Sequence, residues 1–139
     1  MSQENVEIVR ASVDAFNRGD MGAAVEDAAP NAEFDWSRAL GPYAGVYRLD
    51  QIRRAMEDFT ATFESARWEP DEFIDAGEHV VMVGTICLRG RDGIEATART
   101  TFVWTIRDGA IERVSMCQEK EDALEALGLS EQGTPTDPS

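Results

Sequence analysis

Two carboxylates two residues apart, Glu33 and Asp35 in the segment A-E-F-D-W, have the spacing in this chain best suited to acid and base work. Side chains alternate along a strand, so the two would share a face, and two close carboxylates push their pKa values apart. Asp35 is the candidate catalytic residue. The competing reading turns Phe34 and Trp36 inward and leaves both acids in solvent, because burying two carboxylates without a cationic partner is costly.

Other polar residues offer less. Arg99 can orient an anion through its planar fork, or pair with a carboxylate on a neighbouring strand. His79 is the only histidine and stands beside a turn, where exposure is the default, so a multi-histidine metal site is excluded. Cys87 and Cys117 fall in predicted strands without C-x-x-C spacing and read as free buried thiols. Ser12, Tyr43, Tyr47 and Gln118 can each offer a ligand a hydrogen bond. Around them lies an apolar set, Trp36, Phe59, Phe63, Met82, Phe102, Trp104 and Met116, that reads first as core and then as the lining of a pocket. Such a pocket suits a flat hydrophobic ligand.

Positioning these groups requires a scaffold, and the stretch from Thr97 to Gln118 supplies its centre. It reads as two strands joined at Asp108-Gly109, a pair that supplies the positive φ angles of a tight hairpin. On the incoming strand Thr100, Phe102, Trp104 and Ile106 share one face, and Thr101, Val103, Thr105 and Arg107 the other. Two earlier strands, divided by turns at Ala76-Gly77-Glu78 and Arg91-Asp92-Gly93, extend the hairpin into a four-stranded antiparallel meander. The large apolar face of that sheet needs helices to cover it. The N-terminal half provides them. Val6, Val9, Val13 and Phe16 follow a cap at Ser2 at helical spacing and end at Gly19. A shorter helix capped by Asp20 carries Met21, Ala24, Val25 and Ala28 and stops before Pro30. After a short strand, Ala32 to Trp36, and an irregular segment presenting Tyr43 and Tyr47, Asp50 caps a helix with the stripe Ile52, Ala55, Met56, Phe59 and Phe63. A last helix is predicted from Lys120 to Leu127.

Helices first and a meander second imply an α+β fold, and 139 residues suffice for one core. Residues 1–129 are expected to form a single domain, with 130–139 as a disordered polar tail. A net charge of -14 argues against nucleic acid, since a phosphate-binding surface needs clustered Lys and Arg. No apolar run reaches the roughly 18 residues of a membrane span, and the N-terminus lacks the order of a signal peptide, so a cytoplasmic protein is expected.

The segments A-F-N-R-G-D (Ala15 to Asp20), G-V-Y-R-L-D-Q-I-R-R-A-M-E-D-F (Gly45 to Phe59), F-V-W-T-I-R-D-G-A-I-E-R-V (Phe102 to Val114) and E-D-A-L-E-A-L-G-L (Glu121 to Leu129) resemble the SnoaL-like branch of the nuclear transport factor 2-like superfamily. The resemblance implies a cone-shaped, curved antiparallel sheet wrapped around N-terminal helices, the cystatin-like fold, with a pocket inside. That superfamily holds ketosteroid isomerase, polyketide cyclases, limonene epoxide hydrolase, dehydratases and non-catalytic members, so the fold alone selects no reaction.

Residue by residue, the known catalytic patterns do not carry over. Aligned on A-F-N-R-G-D, the isomerase's helix Tyr falls at Ser12, its base near Trp36, and its oxyanion Asp at Val103 or Phe102. The epoxide hydrolase's Arg-x-Asp meets Arg99-Thr100-Thr101, and the cyclases' late-strand acid meets Met116 and Gln118. The resulting expectation is a domain that binds a small hydrophobic molecule, with no cofactor and no metal, and that forms a homodimer through the outer sheet face. The rivals are a small cofactor-independent isomerase, cyclase or dehydratase using a pocket carboxylate, and a non-catalytic dimerisation module.

Overall fold

The computed structural model describes residues 2–39, 44–117 and 119–128; Tyr43, Gln118 and the expected tail lie outside the described residues. Helix α1 (Ser2–Asn17) buries Val6, Val9, Val13 and Phe16 along one stripe, as their spacing predicts. Gly19 closes it at φ 80°, and Asp20 accepts a 3.0 Å hydrogen bond from the Ala23 N–H to cap α2 (Met21–Ala24). This second helix is one turn long. Ala28, expected inside it, instead opens strand β1 (Ala28–Asp35), because its backbone is drawn into pairing with the last long strand. Strand β2 (Val46–Arg48) leads directly into α3 (Leu49–Ala61). Its N-cap is Arg48 and not Asp50, which sits in the first turn, and Gln51 accepts a 2.9 Å hydrogen bond from the Arg48 N–H.

Four strands then run β3 (Ser65–Ala76), β4 (His79–Arg89), β5 (Glu95–Arg107) and β6 (Ala110–Cys117), each antiparallel to the next. The chain folds back at Asp108 (φ 52°) and Gly109 (φ 78°), two consecutive positive φ angles of the kind a two-residue hairpin loop demands. The six strands form one sheet in the order β2-β1-β6-β5-β4-β3, and β1 lies parallel to β6. The meander is therefore antiparallel as its turns require, while the whole sheet is mixed.

A bulge bends the sheet and changes which residues face inward. Pro70 stands opposite Gly84 and Glu72 opposite Val83, leaving Asp71 as the extra residue. Before the bulge the even-numbered Trp68 packs inward; after it the odd-numbered Phe73 does. Gly84 permits this bend, since a Cβ there would lie 2.8 Å from the Glu69 carbonyl oxygen and 3.2 Å from Pro70 Cα.

The sheet has two buried faces. The inner one joins Phe34, Val80, Met82, Phe102, Trp104, Ile106, Ile111 and Val114 to the stripes of α1 and α3. On the outer one Ile74, Val81, Val83, Val103 and Cys117 pack beneath Ala123 and Leu124 of α4 (Lys120–Ala126). Part of the face expected to meet a second copy is thus covered within the chain. No helix among the described residues is long and apolar enough to cross a membrane.

Candidate functional site

Between the inner sheet face and the helices lies a chamber of about 70 Å³. Ser12, Val13 and Phe16 come to it from α1, Ala24 from α2 and Met56 from α3. Phe34 and Trp36 come from the β1 side, and Trp68, Met82, Phe102, Trp104, Ile111 and Val114 from the other strands. A second cavity of about 220 Å³ opens beside it, lined by Phe59, Ile86, Leu88, Ala98, Arg99, Thr100 and Met116. Phe16, Trp36 and Trp68 line both. These three aromatics stand as a partition between the chamber and this second space, the vestibule.

The partition is braced from three sides. The edge of Tyr47 meets Trp36 with ring centroids 5.8 Å apart, and Trp68 meets Phe102 edge-on at 4.9 Å and Phe16 at 6.5 Å. Asn17, the last residue of α1, holds the Trp68 backbone twice: its Nδ2 donates to the Trp68 carbonyl at 2.8 Å, and its Oδ1 accepts from the Trp68 N–H at 2.8 Å. The side-chain amide acts as a short piece of strand. It satisfies a backbone pair on β3 that would otherwise face the helix end.

The packing around the chamber is unusual in one respect. Among the described residues, two buried side-chain polar atoms have no hydrogen-bond partner, Nε1 of Trp36 and Nε1 of Trp104, and both indoles belong to the lining. Leaving such a donor buried and unpaired costs about 1–3 kcal/mol. Ser12 contributes differently from expectation. Its hydroxyl donates a 2.6 Å hydrogen bond to the Ala24 carbonyl, so its proton is committed and only the oxygen can serve a ligand, as an acceptor.

The structure places the remaining candidates as follows. Trp36, Met82, Phe102 and Trp104 line the chamber, and Phe59 and Met116 the vestibule. Phe63 stands one layer out, edge-on to Phe59 at 5.2 Å, and Tyr47 lines neither space because its ring is engaged with Trp36. Phe16 and Trp68 are lining residues that inspection of the sequence did not single out. The signal for Phe16 was present in the α1 stripe; the signal for Trp68 was a lone bulky residue on a strand interrupted by proline.

Asp35 is not in the chamber lining. It lies with Glu33 on the outer sheet face, opposite to Phe34, and both are held by one guanidinium: Arg113 Nε reaches Glu33 at 3.1 Å, and Arg113 Nη2 reaches Asp35 at 2.9 Å. The second Asp35 oxygen accepts from the Ser37 hydroxyl at 2.6 Å and from the Ser37 N–H at 3.0 Å. The Ser37 hydroxyl, then its N–H, and the Arg113 charge hold the Asp35 carboxyl below its ordinary value despite some burial. A carboxylate so stabilised is a poor proton carrier near neutral pH. His79 is also on the outer face, half-buried, with Nδ1 3.1 Å from the Thr105 hydroxyl. Arg99 meets the bulged Asp71 at 2.8 Å, on the rim of the vestibule. No group of three His, Cys, Asp or Glu side chains among the described residues is arranged to hold a metal ion.

A family model described as SnoaL-like domain matches residues 9–114. No curated protein matches the chain. Among solved structures, TerC co-crystallised with polyporic acid is 25% identical, with a TM-score of 0.72 over 88% of this chain and 96% of that one. A nuclear transport factor 2-like protein of Burkholderia thailandensis is 27% identical, with a TM-score of 0.73 over 87% of this chain and 95% of that one. AclR of Streptomyces galilaeus, at 14% identity and a TM-score of 0.71 over 92% and 98%, shares the fold alone.

Proposed function

The chain belongs to the SnoaL-like domain family, and from that premise we propose that it binds a small, flat, hydrophobic molecule in the inner chamber and its vestibule. The observation that carries the reading is the lining itself: apolar and aromatic side chains from three helices and the sheet converge on one space, with no Asp, Glu, His or Lys among the described lining residues. Binding pockets for small molecules have this composition, a mainly apolar wall with few polar groups. That TerC was crystallised with polyporic acid supports the same kind of ligand here. Neither space alone has the roughly 300 Å³ typical of a drug-sized ligand. A ligand of two or three rings therefore spans both, passing the Phe16, Trp36 and Trp68 partition.

Binding is favoured over acid and base catalysis because the best-spaced carboxylates, Glu33 and Asp35, are engaged with Arg113 on the outer face. The same reading carries a homodimer across the part of the outer face that α4 leaves open, resting on the mixed Thr, Val and Arg character of that strand surface; light scattering that returns a particle of one-chain mass overturns it.

A thermal-shift panel of steroids, polyketide fragments, terpenoid epoxides and fatty acids tests the ligand reading. A compound at about 100 times its dissociation constant stabilises the fold by roughly 2.7 kcal/mol, a shift of a few degrees for a domain of this size. Val25→Phe, which places a ring in the chamber, is expected to abolish the shift. A flat panel with well-folded protein rejects the reading.

A further inference from the structure

We infer that Thr100 orients the ligand: its hydroxyl forms a hydrogen bond with an uncharged oxygen, a hydroxyl or a ketone, on the ring that lies in the vestibule, while the bare end of the molecule fills the chamber. This rests on the binding reading above and specifies its ligand class, a neutral polycycle with one polar end. Thr100 stands on the inner sheet face, lines the vestibule and is more than nine-tenths buried at 8% exposure. Its side chain has no hydrogen-bond partner among the described residues. Unlike the two indole N–H groups, which packing seals off, its hydroxyl keeps surface that a small molecule can reach. The wall around it is apolar, formed by Phe59, Ile86, Leu88, Ala98 and Met116. Valine has nearly the same shape and would complete that wall with no polar atom left over. An open, unpaired hydroxyl in such a wall is best explained by a polar group that arrives with the ligand.

Alternation along β5 sets the orientation. Thr100, Phe102 and Trp104 share the inner face, with Phe102 and Trp104 in the chamber and Thr100 in the vestibule. At about 3.3 Å per residue, Trp104 and Thr100 lie roughly 13 Å apart along the strand. A molecule of two or three fused rings that packs beside Trp104 therefore brings its far end to Thr100. The ligand's charge follows from the cations nearby. The one cationic side chain among the described lining residues is Arg99, which already meets Asp71 at 2.8 Å, so a carboxylate entering either space finds no uncommitted positive charge. Its desolvation would go uncompensated, whereas a hydroxyl or ketone needs only the one hydrogen bond that Thr100 supplies.

The test compares three compounds built on one flat tricycle, fluorene, 2-hydroxyfluorene and fluorene-2-carboxylate, by equilibrium dialysis against the parent protein, Thr100→Val and Thr100→Ser. The expected result is that 2-hydroxyfluorene binds the parent roughly fivefold more tightly than fluorene, the equivalent of one net hydrogen bond, and that the carboxylate binds more weakly than either. Thr100→Val should erase the preference for the hydroxyl, and Thr100→Ser, which keeps the donor, should retain it. Because the readout is a ratio of two affinities on the same protein, a general loosening of the fold by either substitution cancels. Equal affinity for fluorene and 2-hydroxyfluorene, or a preference that survives Thr100→Val, overturns the Thr100 assignment and leaves the binding reading standing. Tightest binding of the carboxylate overturns the uncharged ligand class. Binding of none of the three overturns both readings.

Discussion

Asn17 and Trp68 are joined by two hydrogen bonds of 2.8 Å each, which lock the C-terminal end of α1 to the strand carrying one wall of the ligand partition. Asn17→Ala leaves a backbone carbonyl and an N–H on β3 without partners. It is expected to lower stability by about 2 kcal/mol, measured by denaturant unfolding. Asn17→Asp retains the acceptor but sets a carboxylate against the Trp68 carbonyl, so it should be no better. An Asn17→Ala protein as stable as the parent would show that β3 is positioned by packing alone.

Arg113 is the partner that makes the acidic pair Glu33 and Asp35 tolerable, and their pH dependence follows. The folded Asp35 carboxyl titrates below its ordinary value of 3.8, first because of the Ser37 hydroxyl and N–H and then because of Arg113. A group lowered on folding contributes stability that is present above its unfolded pKa and is lost as pH falls through the folded one. Stability should therefore decline below about pH 4, and Asp35→Asn should flatten that decline. Its effect on ligand binding at neutral pH should be negligible, because the residue is outside the chamber. A large loss of binding in Asp35→Asn would return this residue to the candidate site.

Gly84 is the point at which the sheet bends. Gly84→Ala forces a Cβ to within 2.8 Å of the Glu69 carbonyl oxygen, a backbone atom that cannot rotate away. A cost of about 1–3 kcal/mol is expected, visible as a lower melting temperature. Because the bend carries Trp68, the loss should be accompanied by altered tryptophan fluorescence.

The two cysteines differ in access. Both are free, Cys87 half-buried on β4 and Cys117 buried beneath α4. Desolvation raises both thiols, with Glu69 adding to the effect at Cys87. Alkylation at pH 7.5 should label Cys87 more slowly than a free thiol, and Cys117 only after unfolding. Rapid labelling of Cys117 in the native protein would mean that α4 leaves the sheet.

The elements of this chain are local events and could be read from residues close in sequence. The α1 stripe Val6, Val9, Val13 and Phe16, the Asp108-Gly109 hairpin and the alternation around Phe102 and Trp104 need no distant partner to declare themselves. The α+β architecture and its SnoaL-like character follow from such segments in order. The face of Asp35 was different. Whether it or Trp36 turns inward depends on β1 lying parallel to β6 with Glu33 beside Arg113, eighty residues away, and a pairing between distant strands leaves no trace in either one alone. The role of Trp68 was hidden for a related reason. The bulge at Asp71 reverses the inward parity of β3, so alternation counted from either end gives a different lining. The two unpartnered indoles became visible only with the fold complete, since whether a buried donor has a partner is settled by every chain segment that packs around it.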